Sequence, residues 1–183
     1  MKKQTSIYIL LLLFLTLACG AYFMSNRHIP SNYVIMAHQI RTDVAEKLSK
    51  RYNMEVIGVG GGMADSVNVI GLSFQIRGPL SKEKLREIVV DCVEELLASI
   101  NTNEKIRPFL KNYPFTEKEI VITIFIVDAS GRNVYDPDVV VATAFNGKIW
   151  YYTEDMDNKF GYKQKIQEDY QTALKIVREA KQK

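Results

Sequence analysis

"VNVIGLSFQIRGPLSKEKLREIVVDCVEELLASI", residues 67–100, changes its apolar period once, and that change decides the fold class. Up to Arg77 the period is two: Ile70, Leu72, Phe74 and Ile76 face one way, Gly71, Ser73, Gln75 and Arg77 the other. This alternation predicts a strand with one face in a core and one face wet or partly covered. From Leu85 the spacing becomes three and four, through Ile88, Val89, Cys92, Val93, Leu96, Leu97 and Ile100, which predicts a helix with a wide apolar stripe. Ser81 stands where a cap belongs, Leu80 and Leu85 occupy staple positions, and "NTN" at 101–103 ends the helix.

The flanking segments extend the pattern. Upstream, Pro30 and Ser31 open a helix whose stripe is Ala37, Ile40, Val44 and Leu48 and which ends near Asn53. Met54–Val59 reads as a short strand, and the glycines at 58, 60, 61 and 62 fall between it and the strand at 67–77. Downstream, a long connection with Pro108 and Pro114 leads to Ile120, Ile122, Ile124 and Ile126, interleaved with Val121, Thr123, Phe125 and Val127. Both faces are apolar there, as in a central strand. "VVVATAFNGKIWYYT", 139–153, is a hairpin turned by Asn146-Gly147. Tyr162–Lys181 carries Ile166, Tyr170, Ala173, Leu174 and Val177 at helical spacing.

The order α-β-β-α-β-β-β-α predicts a two-layer α+β domain, residues 33–183, with a mainly antiparallel five-stranded sheet and helices packed on one face. A crossover through the helix at 81–100 also allows one parallel strand pair.

Ahead of this domain, "MKKQTSIYILLLLFLTLACGAYFM", residues 1–24, has a basic start and an apolar run from Ile7 to Met24, long enough to span a bilayer. Lys2 and Lys3 hold the N-terminus on the cytoplasmic side and send the rest outward. The segment reads as a lipoprotein signal, a retained membrane helix or a cleaved signal. A polar linker, residues 25–32, follows. "LTLAC" resembles the lipobox of bacterial lipoproteins, with Ala18 before Cys19 and Gly20 after it. Thr16 stands where that pattern prefers Leu, Val or Ile. The resemblance covers only the targeting segment, and it implies diacylation of Cys19 as the mature N-terminus. The expected location is outside a bacterial cytoplasmic membrane and anchored to it.

The chain is 47% apolar and 25% charged, with a net charge of +3 of which Lys2 and Lys3 supply two. The remainder is close to neutral, so no basic field exists to gather nucleic acid. Two cysteines, Cys19 and Cys92, both in apolar stretches, make a disulfide framework improbable.

Candidate sites are few. "GVGGGMADS" lacks a Gly-Lys-Ser/Thr, has Met63 where a dinucleotide motif needs its third glycine, and precedes a strand and not a helix, so it reads as a hairpin loop and not a phosphate cradle. "SKEK", 81–84, matches Ser-x-x-Lys, but no Lys-Thr-Gly or Lys-Ser-Gly follows, and Ser81 is already explained as a cap. His28 and His38 sit outside any zinc or hydrolase motif. Asp128, Asp136 and Asp138, and Glu154, Asp155 and Asp157, read as turn residues; Phe160 occupies the sixth place, where a calcium loop needs glycine. No metal or cofactor is expected.

The most suggestive stretch is "IRPFLKNYPF", 106–115, whose length and apolar content suit either closure of the sheet's open end or a binding loop. Trp150 and Tyr152 share one strand face, with Tyr151 on the other. The expectation is a membrane-tethered, non-catalytic binding or scaffolding module for another envelope protein. Gly60, Gly61, Met63, Phe109, Tyr113 and Phe115 are its candidate contacts. The rival is a small-molecule-binding or hydrolytic protein with a site assembled from dispersed Asp, Ser and Tyr residues, for which a deep polar pocket near Asp65, Ser73 or Asp136 would speak. A third reading is a structural protein that oligomerises through a sheet edge.

Overall fold

The computed structural model describes residues 31–158 and 161–182. Residues 1–24 with Cys19, and His28, Phe160 and most of the linker, lie outside the described residues.

Helix α1 (Asn32–Tyr52) leads into a hairpin of β1 (Glu55–Gly62) and β2 (Val69–Arg77). Helix α2 (Lys82–Thr102) follows, then β3 (Ile120–Val127), β4 (Val139–Phe145), β5 (Lys148–Glu154), β6 (Tyr162–Asp169) and α3 (Tyr170–Ala180). The strands lie side by side in chain order, β1 to β6. The β2–β3 pair is parallel and every other neighbouring pair is antiparallel.

The core forms between one sheet face and the helices. Ile70, Leu72, Phe74 and Ile76 align with Ile120, Ile122, Ile124 and Ile126, then with Ala142, Ala144, Ile149 and Tyr151 across β4 and β5. All are buried, against the stripes of α1 (Ala37, Ile40, Val44, Leu48) and α2 (Leu85, Ile88, Val89, Cys92, Leu96, Ile100). Ser81 caps α2 as its position implied, its hydroxyl accepting from the Lys84 amide at 3.2 Å. Asn146 and Gly147 both have positive φ, 50° and 74°, as the tight hairpin turn requires.

Three expectations are corrected. The sheet has six strands, not five, because Tyr162–Asp169 is a strand and the last helix starts at Tyr170. The segment "YKQKIQED" is rich in helix formers, but pairing along β5 from Lys148 to Glu154 outweighs that local preference. Asp169 marks the switch: its carboxylate caps α3, accepting from the Thr172 amide at 3.0 Å. Second, the sheet is mixed and not wholly antiparallel: α2 returns the chain to β2's side in a crossover and sets β3 parallel to it, the one parallel pair that the crossover allowed. Third, Gly58, Gly60, Gly61 and Gly62 lie within β1 and not in the loop after it, with Gly60 opposite Gly71 and Gly62 opposite Val69. Of the four only Gly61 has a positive φ, 152°.

Candidate functional site

The sheet's connections divide between two ends. At one end lie the β1–β2 connection, residues 103–119, the β4–β5 turn and the start of α1; at the other lie the β2–α2, β3–β4 and β5–β6 connections. The two loops singled out in the sequence therefore meet. The Val67 amide donates to the Phe109 carbonyl at 2.8 Å, and the Lys111 amide donates to the Val67 carbonyl at 3.0 Å. Tyr33, in the first turn of α1, stacks on Phe109 with ring centroids 5.4 Å apart and donates its hydroxyl to the Ala64 carbonyl at 2.7 Å. Arg41, about two turns further along α1, reaches the Gly60 carbonyl. This guanidinium is largely buried, and burial holds its pKa below the usual range. An edge strand of glycines offers no side chain to exclude it.

The long loop divides by burial. Ile106, Leu110 and Phe115 close the end of the core, whereas Phe109 and Tyr113 are 38% and 51% exposed. Phe115 is 3% exposed, so its side chain serves the core and is not available to a partner. Asn101 holds it there: its amide nitrogen donates to the Phe115 carbonyl at 2.9 Å and its oxygen accepts from the Phe115 amide at 2.8 Å. Asn101→Ala leaves both backbone groups without these partners. It is expected to cost about 1–2 kcal/mol by denaturant titration and to speed hydrogen exchange at the Phe115 amide. Met63 is partly buried against the core, and Gly60 and Gly61 face solvent at the sheet edge.

The second surface is the sheet face turned away from the helices. One cross-strand row reads Ser73, Thr123, Thr143, Trp150 and Gln167; the next reads Gln75, Phe125, Val141, Tyr152 and Lys165. Thr123 and Thr143 bond hydroxyl to hydroxyl at 3.0 Å, and Thr143 also donates to the Ile122 carbonyl. The Lys165 ammonium lies 4.3 Å from the Trp150 ring centroid and 5.7 Å from that of Tyr152. Lys148 approaches Trp150 from the other side at 5.7 Å, and Tyr162 packs on Tyr152 at 4.5 Å. Phe145 and Tyr162, both 54% exposed, stand at opposite ends of this band. No described helix covers it. The pairing of Trp150 with Tyr152 on one strand face was legible from their spacing. Phe145, Tyr162 and Lys165 were missed, the last two because their segment reads as helix.

The remaining candidates resolve as structure. Ser81 and Lys84 line a cleft of about 530 Å³ between the start of α2 and the end of α3. The Lys84 ammonium pairs with Glu87 at 2.9 Å and not with the serine hydroxyl. Asp128 accepts from Ser130 and Arg132 and closes a turn; these bonds hold its carboxyl below the usual range. Asp136 pairs with Lys163 at 2.9 Å at one end of the sheet, Asp65 lies at the other, and Ser73 sits mid-strand. His38 is exposed on α1, and Cys92 is buried and free. Among the described residues no group of three or more His, Cys, Asp or Glu is placed to hold a metal ion, and no helix is long and apolar enough to cross a membrane.

No protein-family model, no curated protein and no solved structure matches this chain.

Proposed function

We propose that the protein is a membrane-tethered, non-catalytic binding module of the bacterial envelope, and that the uncovered sheet face is its binding surface. The observation that carries this reading is the aromatic band on a face that packs against no described helix, with Phe125, Phe145 and Tyr162 exposed and Trp150 and Tyr152 half-buried. An open antiparallel face is ordinarily polar, whereas contiguous exposed rings mark recognition surfaces. Large rings at fixed positions offer contact area with little conformational entropy to lose. The ammonium groups of Lys148 and Lys165 stand over the Trp150 ring, which suits a partner that presents an apolar patch rimmed by carboxylates. Tethering through residues 1–24 raises the local concentration of the face at the membrane, so weak contacts suffice.

The Pro-aromatic loop and the glycine strand remain part of the proposal as a second exposed surface at the end where the tether joins.

Photo-crosslinking residues placed at Phe145 and Tyr162 in cells test the reading. One recurrent envelope protein is expected from both positions, and none from a control at Lys175 on α3. Exported protein that captures nothing from either position would count against it.

A further inference from the structure

Strand β1 is an edge of the sheet, and most of its residues are exposed. On the neighbouring strand the Ile70 amide donates to the Glu119 carbonyl just ahead of β3. Ile70 and Leu72 therefore turn their backbone groups to β3, and Gly71 and Ser73 turn theirs to β1. Gly60 and Gly58, opposite Gly71 and Ser73, use their own N–H and C=O groups in that pairing. Because the intervening peptides are trans, the Val59 N–H and C=O and the Gly61 N–H point to the open edge. Val56, Val59 and Gly61 lie opposite Phe74, Leu72 and Ile70 and so face the helix layer, yet Val56 and Val59 are 39% and 47% exposed. Tyr33, Arg41 and Ser49 on α1 reach the carbonyls of Ala64, Gly60 and Met54, which sets α1 alongside β1 over its whole length. Between α1 and the open edge runs an apolar flank that no described segment covers.

Arg41 stands on this flank with only 8% of its surface exposed. Among the described residues its one hydrogen bond goes to the Gly60 carbonyl, and its Nε has no partner. Burial lowers its pKa, and no carboxylate is close enough to raise it. A buried cation without a counter-charge is costly, and a bidentate carboxylate is the group that best relieves it. Gly60 and Gly61 place no side chain between the guanidinium and the edge. We infer that the open edge of β1 takes an extended segment of a partner protein as a seventh strand, with a carboxylate of that segment pairing with Arg41 and an apolar side chain two residues away packing on Val59. Both side chains face the helix layer, because a strand repeats with period two. Backbone pairing supplies affinity and the carboxylate supplies selection. A second copy of this chain does not meet Arg41's need. Two β1 edges paired antiparallel keep their helix layers on one side and bring only Val56, Val59 and Gly61 to it. Glu55, the one charged residue of β1, lies opposite Gln75 on the other face. The far edge, β6, carries Lys163, Lys165, Glu168 and Asp169, charges of the kind that keep an edge strand unpaired. This site goes beyond the open sheet face and does not depend on it.

The test uses the full chain in mild detergent and a labelled, end-capped peptide, Thr-Val-Thr-Glu-Thr-Val-Thr. It reads the same in both directions, so either strand polarity presents a valine two residues from the glutamate. The comparison peptide has glutamine in place of glutamate. Binding is read by fluorescence anisotropy and by hydrogen exchange at the Val59 and Gly61 amides. The glutamate peptide is expected to bind at least about tenfold more tightly than the glutamine peptide and to slow exchange at both amides. Arg41→Met removes a buried unpaired charge, is expected to fold at least as well as the wild type, and should bind the two peptides equally. Val59→Pro removes an outward donor without touching the ladder to β2 and should abolish binding of both. Phe145→Ser, on the open sheet face, should leave binding unchanged. No binding of the glutamate peptide up to about 1 mM, equal binding of both peptides by the wild type, or loss of binding in folded Phe145→Ser would overturn the inference. Protection of the Val59 and Gly61 amides without peptide, rising with protein concentration, would assign the edge to a second copy and overturn it as well. A failure here leaves the reading of the open face standing, since that face is tested by crosslinking at Phe145 and Tyr162.

Discussion

Replacing Arg86 with methionine is expected to lower stability by about 2–3 kcal/mol at neutral pH. Arg86 projects from α2 onto β6, where its guanidinium forms a two-pronged pair with Glu168 at 2.9–3.0 Å. Both side chains are mostly out of water, at 12% and 13% exposure. Tyr151 from β5 donates its hydroxyl to the same carboxylate at 2.5 Å. Burial alone would raise the Glu168 carboxyl; the guanidinium and the phenol more than offset it and hold it below the usual carboxylate range. With methionine at position 86, the burial term acts on an unpaired carboxylate. The effect therefore has a pH signature. A carboxyl whose folded pKa is depressed stabilises the fold above its unfolded pKa of about 4.3, and that contribution is lost as pH falls through the lower folded value. The gap between wild type and Arg86→Met should narrow on acidification, because protonated Glu168 needs no cation. Urea titrations of both proteins across the acid range measure it. A gap independent of pH would show that only the packing of the arginine stem was lost.

Gly61→Ala is expected to destabilise by about 2 kcal/mol, while Gly60→Ala, its neighbour in the same strand, is expected to be neutral or stabilising by about 0.5 kcal/mol. Gly61 has φ of 152°, and a Cβ there would stand 2.4 Å from the Val69 carbonyl oxygen and 3.1 Å from the Met63 methyl. The first of these is backbone of the paired strand, so the clash can be relieved only by parting β1 from β2. At Gly60 a Cβ would meet nothing within 4 Å, and its φ is ordinary. There alanine chiefly reduces the freedom of the unfolded chain. Hydrogen exchange at the Asn68 amide, which donates to the Gly62 carbonyl at 2.8 Å, would locate the damage to this hairpin end.

These glycines show where sequence reading stopped. Four glycines in five positions look like a loop because glycine is a poor strand former. What they do instead depends on partners distant in sequence: β2 supplies the ladder, and Tyr33 and Arg41 on α1 bind the carbonyls of Ala64 and Gly60. The switch of period at residues 67–100, by contrast, was legible, since alternation at Ile70–Ile76 and the stripe at Leu85–Ile100 need no tertiary information. The hairpin at Asn146-Gly147 was equally local. The sixth strand was not, because Lys163, Gln164, Lys165, Gln167 and Glu168 all favour helix, and only the pairing offered by β5 selects the extended form. Missing that strand hid Tyr162 and Lys165, and so hid the aromatic band. The meeting of the glycine and Pro-aromatic segments was beyond sequence reading too. It depends on the parallel β2–β3 pairing, which brings Val67 beside Leu110.

The central claim is that the open sheet face is covered by a partner in the envelope, and cysteine labelling tests it directly. Phe145→Cys places a thiol at the exposed end of the band, and Lys175→Cys on α3 serves as control; Cys92 is buried and silent. A membrane-impermeant maleimide would be applied to intact envelopes and to purified protein. Labelling of the position 145 thiol is expected to be at least about tenfold slower in envelopes, with the control unchanged, as a bound partner of ordinary affinity requires. Equal rates in both preparations would show that the face stands open and would contradict the account.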